Sequence, residues 1–261
     1  MKSSKDFLIL GHDGYLGNYL ANNLDGDILE NKTIYNNGFE YKFIINCIGK
    51  PDVEFCEQND QISKYSNADI ILDIKKYYPS SKIVNFSSYY VYNDKGFCNE
   101  ESITTECTLY AKHKLLSEQY NSDGINFRLG KLFGNKNITR NKLFDLIIKS
   151  DEIFLDDVLF NPVSTKFVCD ILKNIDFLEE NIGIYNLAND GVVSHFDYGK
   201  YIANYLNLSI SINHRHNFEK PFCNHGSFLM SLDKIKKYVK ANHWKHDMDI
   251  FLSSYKGFFD V

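Results

Sequence analysis

The stretch ILGHDGYLGNY, Ile9 to Tyr19, places Gly11, Gly14 and Gly17 directly behind an apolar run. Residues 7–10 read Phe-Leu-Ile-Leu, the unbroken hydrophobicity of a buried strand. Behind the glycines, Leu16, Leu20, Ala21 and Leu24 recur at helical spacing. Strand, glycine turn and helix, in that order, are the setting in which a G-x-x-G-x-x-G spacing has a physical use. The first glycine permits a tight turn, and the others let a pyrophosphate and a neighbouring helix approach the backbone. The amides at the helix start suit an anion. A plain turn between strand and helix also accounts for these residues, so the rest of the chain decides.

Outward from that turn the pattern repeats. Apolar runs at residues 43–48, 82–87 and 125–129 each stop at or near a glycine or a hydroxyl cluster. Helix-like segments lie between them, at residues 58–77 and 109–120. A further short strand is expected at residues 33–35. Apolar strands alternating with helices indicate β/α units and a mostly parallel sheet. After Gly134 the character changes. Helices are expected at 143–149, 167–175, 196–206 and 232–239, a strand or hairpin at 151–159, a sheet strand at 183–188, and a histidine-rich loop at 214–228. Residues 1–134 therefore read as the core, and 135–261 as a mixed region that adds a small lobe and late elements of the sheet.

Bulk properties narrow the function. A chain of 261 residues with 20 Phe, 18 Tyr and only 4 Pro builds a full core and is not disordered. Its net charge of -5 gives no general attraction to nucleic acid. The first residues hold only a four-residue apolar run, neither a signal peptide nor a membrane span, so a cytoplasmic protein is expected. Six scattered cysteines without a C-x-x-C pair argue against a disulfide framework, and Cys47 and Cys169 read as core residues. His214, His216, His225, His243 and His246 lack the cysteine or acidic partners of a zinc site, so no metal is expected. Asp156-Asp157 reads as a turn or cap, and Trp244 as a packing or interface residue.

A second constellation decides the reading of the first. Asn85-Phe-Ser-Ser-Tyr-Tyr-Val-Tyr92 ends a strand in hydroxyls. Tyr110 and Lys114 lie four apart and share a helix face. A lysine beside a tyrosine favours the phenolate, which predicts a Tyr110 pKa lowered towards neutrality and a phenol usable in proton transfer. A strand-end serine can hold the reacting oxygen.

With these residues in view the chain resembles the extended short-chain dehydrogenase/reductase family, and within it the dTDP-4-dehydrorhamnose reductase branch of nucleotide-sugar reductases. The likeness rests on Gly11 to Gly17, on Ile45-Asn-Cys-Ile-Gly-Lys-Pro-Asp-Val-Glu-Phe-Cys-Glu57, on Asn67-Ala68, on Ser87 to Tyr92, and on Tyr110 with Lys114. Phe127 to Gly134, Asn161-Pro-Val-Ser-Thr165, residues 183–188 with Ser194, Pro221 and residues 227–234 are similar more loosely. The resemblance implies a Rossmann-like, doubly wound parallel sheet with a small C-terminal substrate lobe. It implies NADP or NAD as cofactor, contacted by Gly11, Asp13, Gly14, Tyr15, Leu16, Gly17, Asn46, Cys47, Ile48, Gly49, Asn67, Tyr110 and Lys114. Ser88, Tyr110 and Lys114 become the catalytic residues. Ser87, Ser88, Tyr89, Arg128 and Asn161 become contacts of a nucleotide-sugar substrate. The implied activity is reduction of a 4-keto sugar, with an epimerase of the same superfamily or a non-catalytic NAD(P)-binding subunit as alternatives; a homodimer is compatible with it. Tyr89-Tyr90 stands where a dehydratase has acidic residues. The segment between Leu24 and Phe43 is shorter than in the family.

Overall fold

A computed structural model describes residues 4–29, 34–93, 96–135, 137, 142–215 and 227–256. Strand β1 (Ser4–Leu10) runs through the glycine turn into helix α1 (Tyr15–Asn23). Then come β2 (Asp27–Ile28), β3 (Glu40–Asn46), α2 (Val53–Gln58), α3 (Asp60–Lys64), a π-helical turn (Tyr65–Asp69) and α4 (Ile70–Tyr77). Strand β4 (Lys82–Ser88) ends in a 3-10 turn (Tyr89–Val91), followed by β5 (Gly96–Cys98), α5 (Leu109–Tyr120) and β6 (Ile125–Leu129). The second half holds β7 (Lys131–Phe133), α6 (Lys142–Lys149), β8 (Glu152–Leu155), β9 (Leu159–Phe160), β10 (Pro162–Ser164), α7 (Thr165–Leu172), α8 (Ile175–Glu180) and β11 (Gly183–Leu187). It closes with β12 (Val193–Ser194), α9 (His195–Leu206), β13 (Ser211–His214), β14 (Phe228–Met230), a 3-10 turn (Ile235–Lys237) and α10 (Trp244–Lys256).

Six strands form one sheet in the order β11-β6-β4-β3-β1-β2, with every neighbouring pair parallel. Alternate residues of β1 bury on opposite faces. Phe7 and Ile9 pack with Leu16 and Leu20 of α1 and with Phe167, Val168 and Ile171 of α7. Leu8 and Leu10 pack with Ile70, Ile71 and Ile74 of α4. Burial on both faces is why these strands read as continuous apolar runs. The sheet is doubly wound, as the resemblance implied. From β1 the chain steps to β2 on one side and to β3 on the other. The carboxyl ends of β1 and β3 therefore flank a crevice, where open parallel sheets receive ligands.

A second cluster lies in the later half. On α10, Trp244, Met248, Phe251, Leu252 and Tyr255 form a helical stripe packed with Phe133, Phe144, Phe160, Phe196 and Ile202. Trp244 is thus a packing residue of the lobe. Strand β11, between these lobe elements in sequence, belongs to the main sheet beside β6.

Several expectations are corrected. The second strand of the sheet is Asp27–Ile28; Ile34 and Tyr35 carry no strand, and Thr33 lies outside the described residues. Of the strand or hairpin expected at 151–159 the strand is found, as β8; it forms no hairpin, since β8 pairs in parallel with β13 and β9 pairs antiparallel with β12. The helix expected at 167–175 is found as α7 but stops at Leu172, and Ile175 opens α8, which Asn174 caps through Phe177 N. The last helix is α10, while residues 232–239 hold only a 3-10 turn. The 214–228 loop gives its ends to β13 and β14; His216, Pro221, Cys223 and His225 lie outside the described residues. Cys107 is disulfide-bonded, whereas Cys47, Cys56, Cys98 and Cys169 form no disulfide. Proximity in the fold decides such a bridge, and sequence spacing does not report it. Among the described residues no helix is long and apolar enough to cross a membrane.

Candidate active site

At the end of β1 the backbone leaves too little space for side chains. Gly11 has φ of +74°, and a Cβ there would lie 2.9 Å from Cys47 C and Ile48 N. A Cβ on Gly17 would lie 2.1 Å from Gly11 O, so α1 can approach the turn only with glycine at this position. Gly14 N donates to Gly11 O at 3.0 Å and closes the loop. As N-cap of α1, Gly14 offers no side-chain cap, which leaves the amides of the first turn directed at the crevice. Leu16 points into the core, and Asp13 is exposed. The Tyr15 hydroxyl accepts from Asn135 N at 3.1 Å, and Asn135 Nδ2 donates to Tyr15 O at 2.7 Å, tying the chain after β7 to the turn.

The facing wall follows β3. Cys47 N donates to Leu10 O at 3.0 Å, and Ile48 N donates to Asn46 Oδ1 at 3.2 Å. Burial pushes the Cys47 thiol up. Asn46 Nδ2 in turn donates to Asn85 Oδ1 at 3.0 Å. Asn85 Nδ2 donates to Asn126 Oδ1 and to Ser117 Oγ, each at 3.1 Å. One asparagine from each of β3, β4 and β6 stands in register, so a row of amides crosses three strands. Every such buried group needs a partner, and these amides supply one another. Asn67 Oδ1 accepts from Lys50 N at 2.9 Å, and Asn67 Nδ2 donates to Lys50 O at 3.1 Å. A Cβ on Gly49 would stand 3.2 Å from Asn67 Oδ1 and 3.4 Å from Lys114 Nζ. Asn46 and Asn67 thus shape the Cys47–Lys50 loop from behind, while Gly49 is exposed.

Ser88, Tyr110 and Lys114 come together beside this loop. Thr108 caps α5 through Ala111 N at 3.0 Å, and Glu57 Oε1 accepts from Leu109 N at 2.7 Å. These contacts fix the first turn that carries Tyr110. Ser88 Oγ accepts from Tyr90 N at 3.2 Å and lies near enough to the Tyr110 phenol to act on its pKa. Lys114 Nζ donates to Phe86 O at 2.8 Å and sits 5.9 Å from the Tyr110 ring centroid. The Tyr110 phenol is pushed up to about 12 by burial, with the neighbouring Ser88 side chain acting against that. Burial lowers Lys114 to about 8. A Tyr110 pKa lowered by the lysine is therefore not found. Desolvation outweighs the ammonium, which is aimed at a carbonyl.

The remaining expected residues divide. Tyr89 stacks edge-on against Tyr90 at 4.9 Å, and Tyr90 stands 6.1 Å from Tyr110, so both border the trio. Ser87 Oγ is buried without a hydrogen-bond partner. Arg128 is not brought to the site. Its Nε and Nη2 donate to Glu118 at 2.9 and 2.7 Å, its Nη1 to Glu100 O at 3.2 Å, and it lies over the Tyr92 ring. Asn161 accepts from Met230 N at 2.8 Å and donates to Gly191 O at 3.1 Å. Both side chains are buried and bonded to the scaffold.

Other residues at the site were missed. Asn85 and Asn126 were legible as lone amides in otherwise apolar strands. Lys131, His195 and Asp156 meet, and nothing in their spacing connects them. Among the described residues no group of three metal-ligating side chains forms.

The chain is similar in structure to the dTDP-4-dehydrorhamnose reductase of Clostridium acetobutylicum, with a TM-score of 0.82 at 19% identity over 97% of this chain and 99% of that one. The Bacillus anthracis dTDP-4-dehydrorhamnose reductase, solved in complex with NADP, gives 0.82 at 17% identity over 97% and 100%. A UDP-N-acetylglucosamine 4-epimerase from Methanobrevibacter ruminantium, in complex with UDP-N-acetylmuramic acid, gives 0.78 at 16% identity over 100% of both. At such identities the likeness establishes a shared fold. No curated protein matches the sequence. The family model described as the RmlD substrate binding domain matches residues 5–256, and the chain belongs to that family, in keeping with its resemblance to the dTDP-4-dehydrorhamnose reductase branch.

Proposed function

We propose that this chain is an NAD(P)-dependent reductase of a nucleotide-linked 4-keto sugar. One observation carries the reading. A backbone cradle at Gly11–Gly17 and the buried Ser88–Tyr110–Lys114 trio open on the same end of one parallel sheet. The fit to a dinucleotide rests on the cradle itself: glycines that no side chain could replace, and uncapped amides at the start of α1 suited to a pyrophosphate. Lys114, beside Gly49, is placed to hold ribose hydroxyls. A bound NADP(H) or NAD(H) supplies the hydride.

The side chains supply the rest. With its pKa raised to about 12, the Tyr110 phenol is protonated at neutral pH and is a proton donor. It donates to the alkoxide that develops as a ketone is reduced. Ser88, beside Tyr110, hydrogen-bonds the same oxygen. The Lys114 ammonium then stabilises the phenolate left behind. Tyr89 borders the sugar. Residues 135–261 supply the substrate lobe.

The test supplies NADPH or NADH with a panel of nucleotide 4-keto sugars and follows reduced-nicotinamide absorbance. Consumption matching sugar reduced supports the reductase. Isomerisation without net consumption points to an epimerase. Binding without either points to an accessory subunit.

A further inference from the structure

The lobe brings one charged line to the edge of the site. Asp156 follows β8, His195 opens α9 and Lys131 opens β7. Lys131 Nζ lies 2.9 Å from His195 Nε2, and His195 Nδ1 lies 2.6 Å from Asp156 Oδ1. An ammonium only donates, so Nε2 accepts and the ring carries its proton on Nδ1 towards Asp156. The ring is held 4.8 Å from that of Phe160, and Lys131 Nζ sits 5.2 Å from the same Phe160 ring. This packing gives the line one orientation.

Its position is set by the sheet. Leu129 is the register partner of Ser88. Lys131 starts two residues farther along, just beyond the carboxyl end of β6. Gly130, between them, lets the chain pass Asn161, since a Cβ there would stand 2.2 Å from Asn161 O. Asp156 is close enough to Tyr89 and Tyr90 to raise both phenols, and Tyr90 stands against Tyr110. The line therefore begins just beyond the strand end that pairs with Ser88, at the end of the sheet where the trio lies.

We propose that Lys131, oriented by His195 and Asp156, is a specificity-determining residue that recognises an anionic group of the substrate, either the phosphates of the nucleotide or a carboxylate on the sugar. A half-buried ammonium held through a neutral ring presents positive charge where a neutral sugar needs none. This inference rests on the proposed nucleotide-sugar reading.

Calorimetry on the full chain with NADP and NAD present tests it, using UDP, dTDP, UDP-glucose and UDP-glucuronate as probes. If Lys131→Met weakens UDP and dTDP by at least about tenfold, the group is the phosphate. If it spares UDP but removes a preference for UDP-glucuronate over UDP-glucose, the group is the carboxylate. Lys131→Arg should restore either behaviour, and dinucleotide affinity should not move. Should the methionine variant fail to fold, Lys131→Gln carries the same comparison, since it keeps a donor to His195 without the charge. Affinities for all four probes within twofold of wild type overturn the assignment. Wild-type protein that binds none of them overturns the functional reading, and this inference with it.

Discussion

The glycine-turn end of the sheet and the lobe beyond Gly134 are built by different means. At the turn the backbone itself is the working surface. Gly11, Gly17 and the Cys47–Lys50 loop approach within distances that exclude side chains, and Asn46, Asn85 and Asn126 lock the strands behind them. In the lobe, large side chains set the shape: Trp244, Met248 and Phe251 of α10 pack on Phe144, Phe196 and Phe133, and Lys131, His195 and Asp156 form a hydrogen-bonded line. The first construction demands particular residues at particular positions. The second demands volume and can vary its polar contacts. A fold that separates the two can keep one chemistry and change its substrate.

The largest expected effect lies where the two constructions meet. Tyr110→Phe should reduce turnover about 10²–10⁴-fold while dinucleotide affinity stays within about twofold, as steady-state kinetics and a binding titration would show. An unchanged turnover would remove Tyr110 from the chemistry. Next, Met248→Ala should cost about 2–5 kcal/mol in denaturant unfolding and leave dinucleotide affinity of the folded protein nearly intact, because the cavity forms in the lobe. Gly17→Ala should do the reverse. Overpacking against Gly11 O costs about 1–3 kcal/mol, and dinucleotide binding is lost in protein that still folds. If the alanine variant bound normally, the backbone cradle would not be the binding surface.

The smallest effect is a pH dependence. Lys114, lowered to about 8 by burial, is charged below that pH and neutral above it. Dinucleotide affinity should therefore be full near neutrality and fall as pH rises, by about tenfold between pH 7 and pH 9, with the slope absent in Lys114→Met. Tyr110, raised to about 12, stays protonated across that window and adds nothing to the slope.

The same division explains what the sequence disclosed. Sheet strands whose both faces are buried wrote themselves as apolar runs, so β1, β3, β4, β6 and β11 were legible, as was α5 with Tyr110 and Lys114 on one face. The glycines were legible because close backbone approach admits no substitute. Two-residue β2 was too short to show a period. Helix α10 hid behind the charged residues of its outer face, although Trp244, Met248, Phe251, Leu252 and Tyr255 keep helical spacing. The Arg128–Glu118 pair was not legible because the two residues lie on different elements, and charge pairing across elements leaves no local pattern. The meeting of Lys131, His195 and Asp156 depends on three turns of the lobe for the same reason.

The central claim is that the Gly11–Gly17 cradle and the Ser88–Tyr110–Lys114 trio serve one hydride transfer to a sugar ketone. Reaction with NAD(P)H deuterated at the transferred position, followed by mass spectrometry of the nucleotide-sugar product, tests it most directly. The account predicts one deuterium on the reduced carbon for each dinucleotide oxidised, and none without a ketone substrate. An isomerised or unchanged sugar carrying no deuterium, with the dinucleotide still reduced, would contradict it.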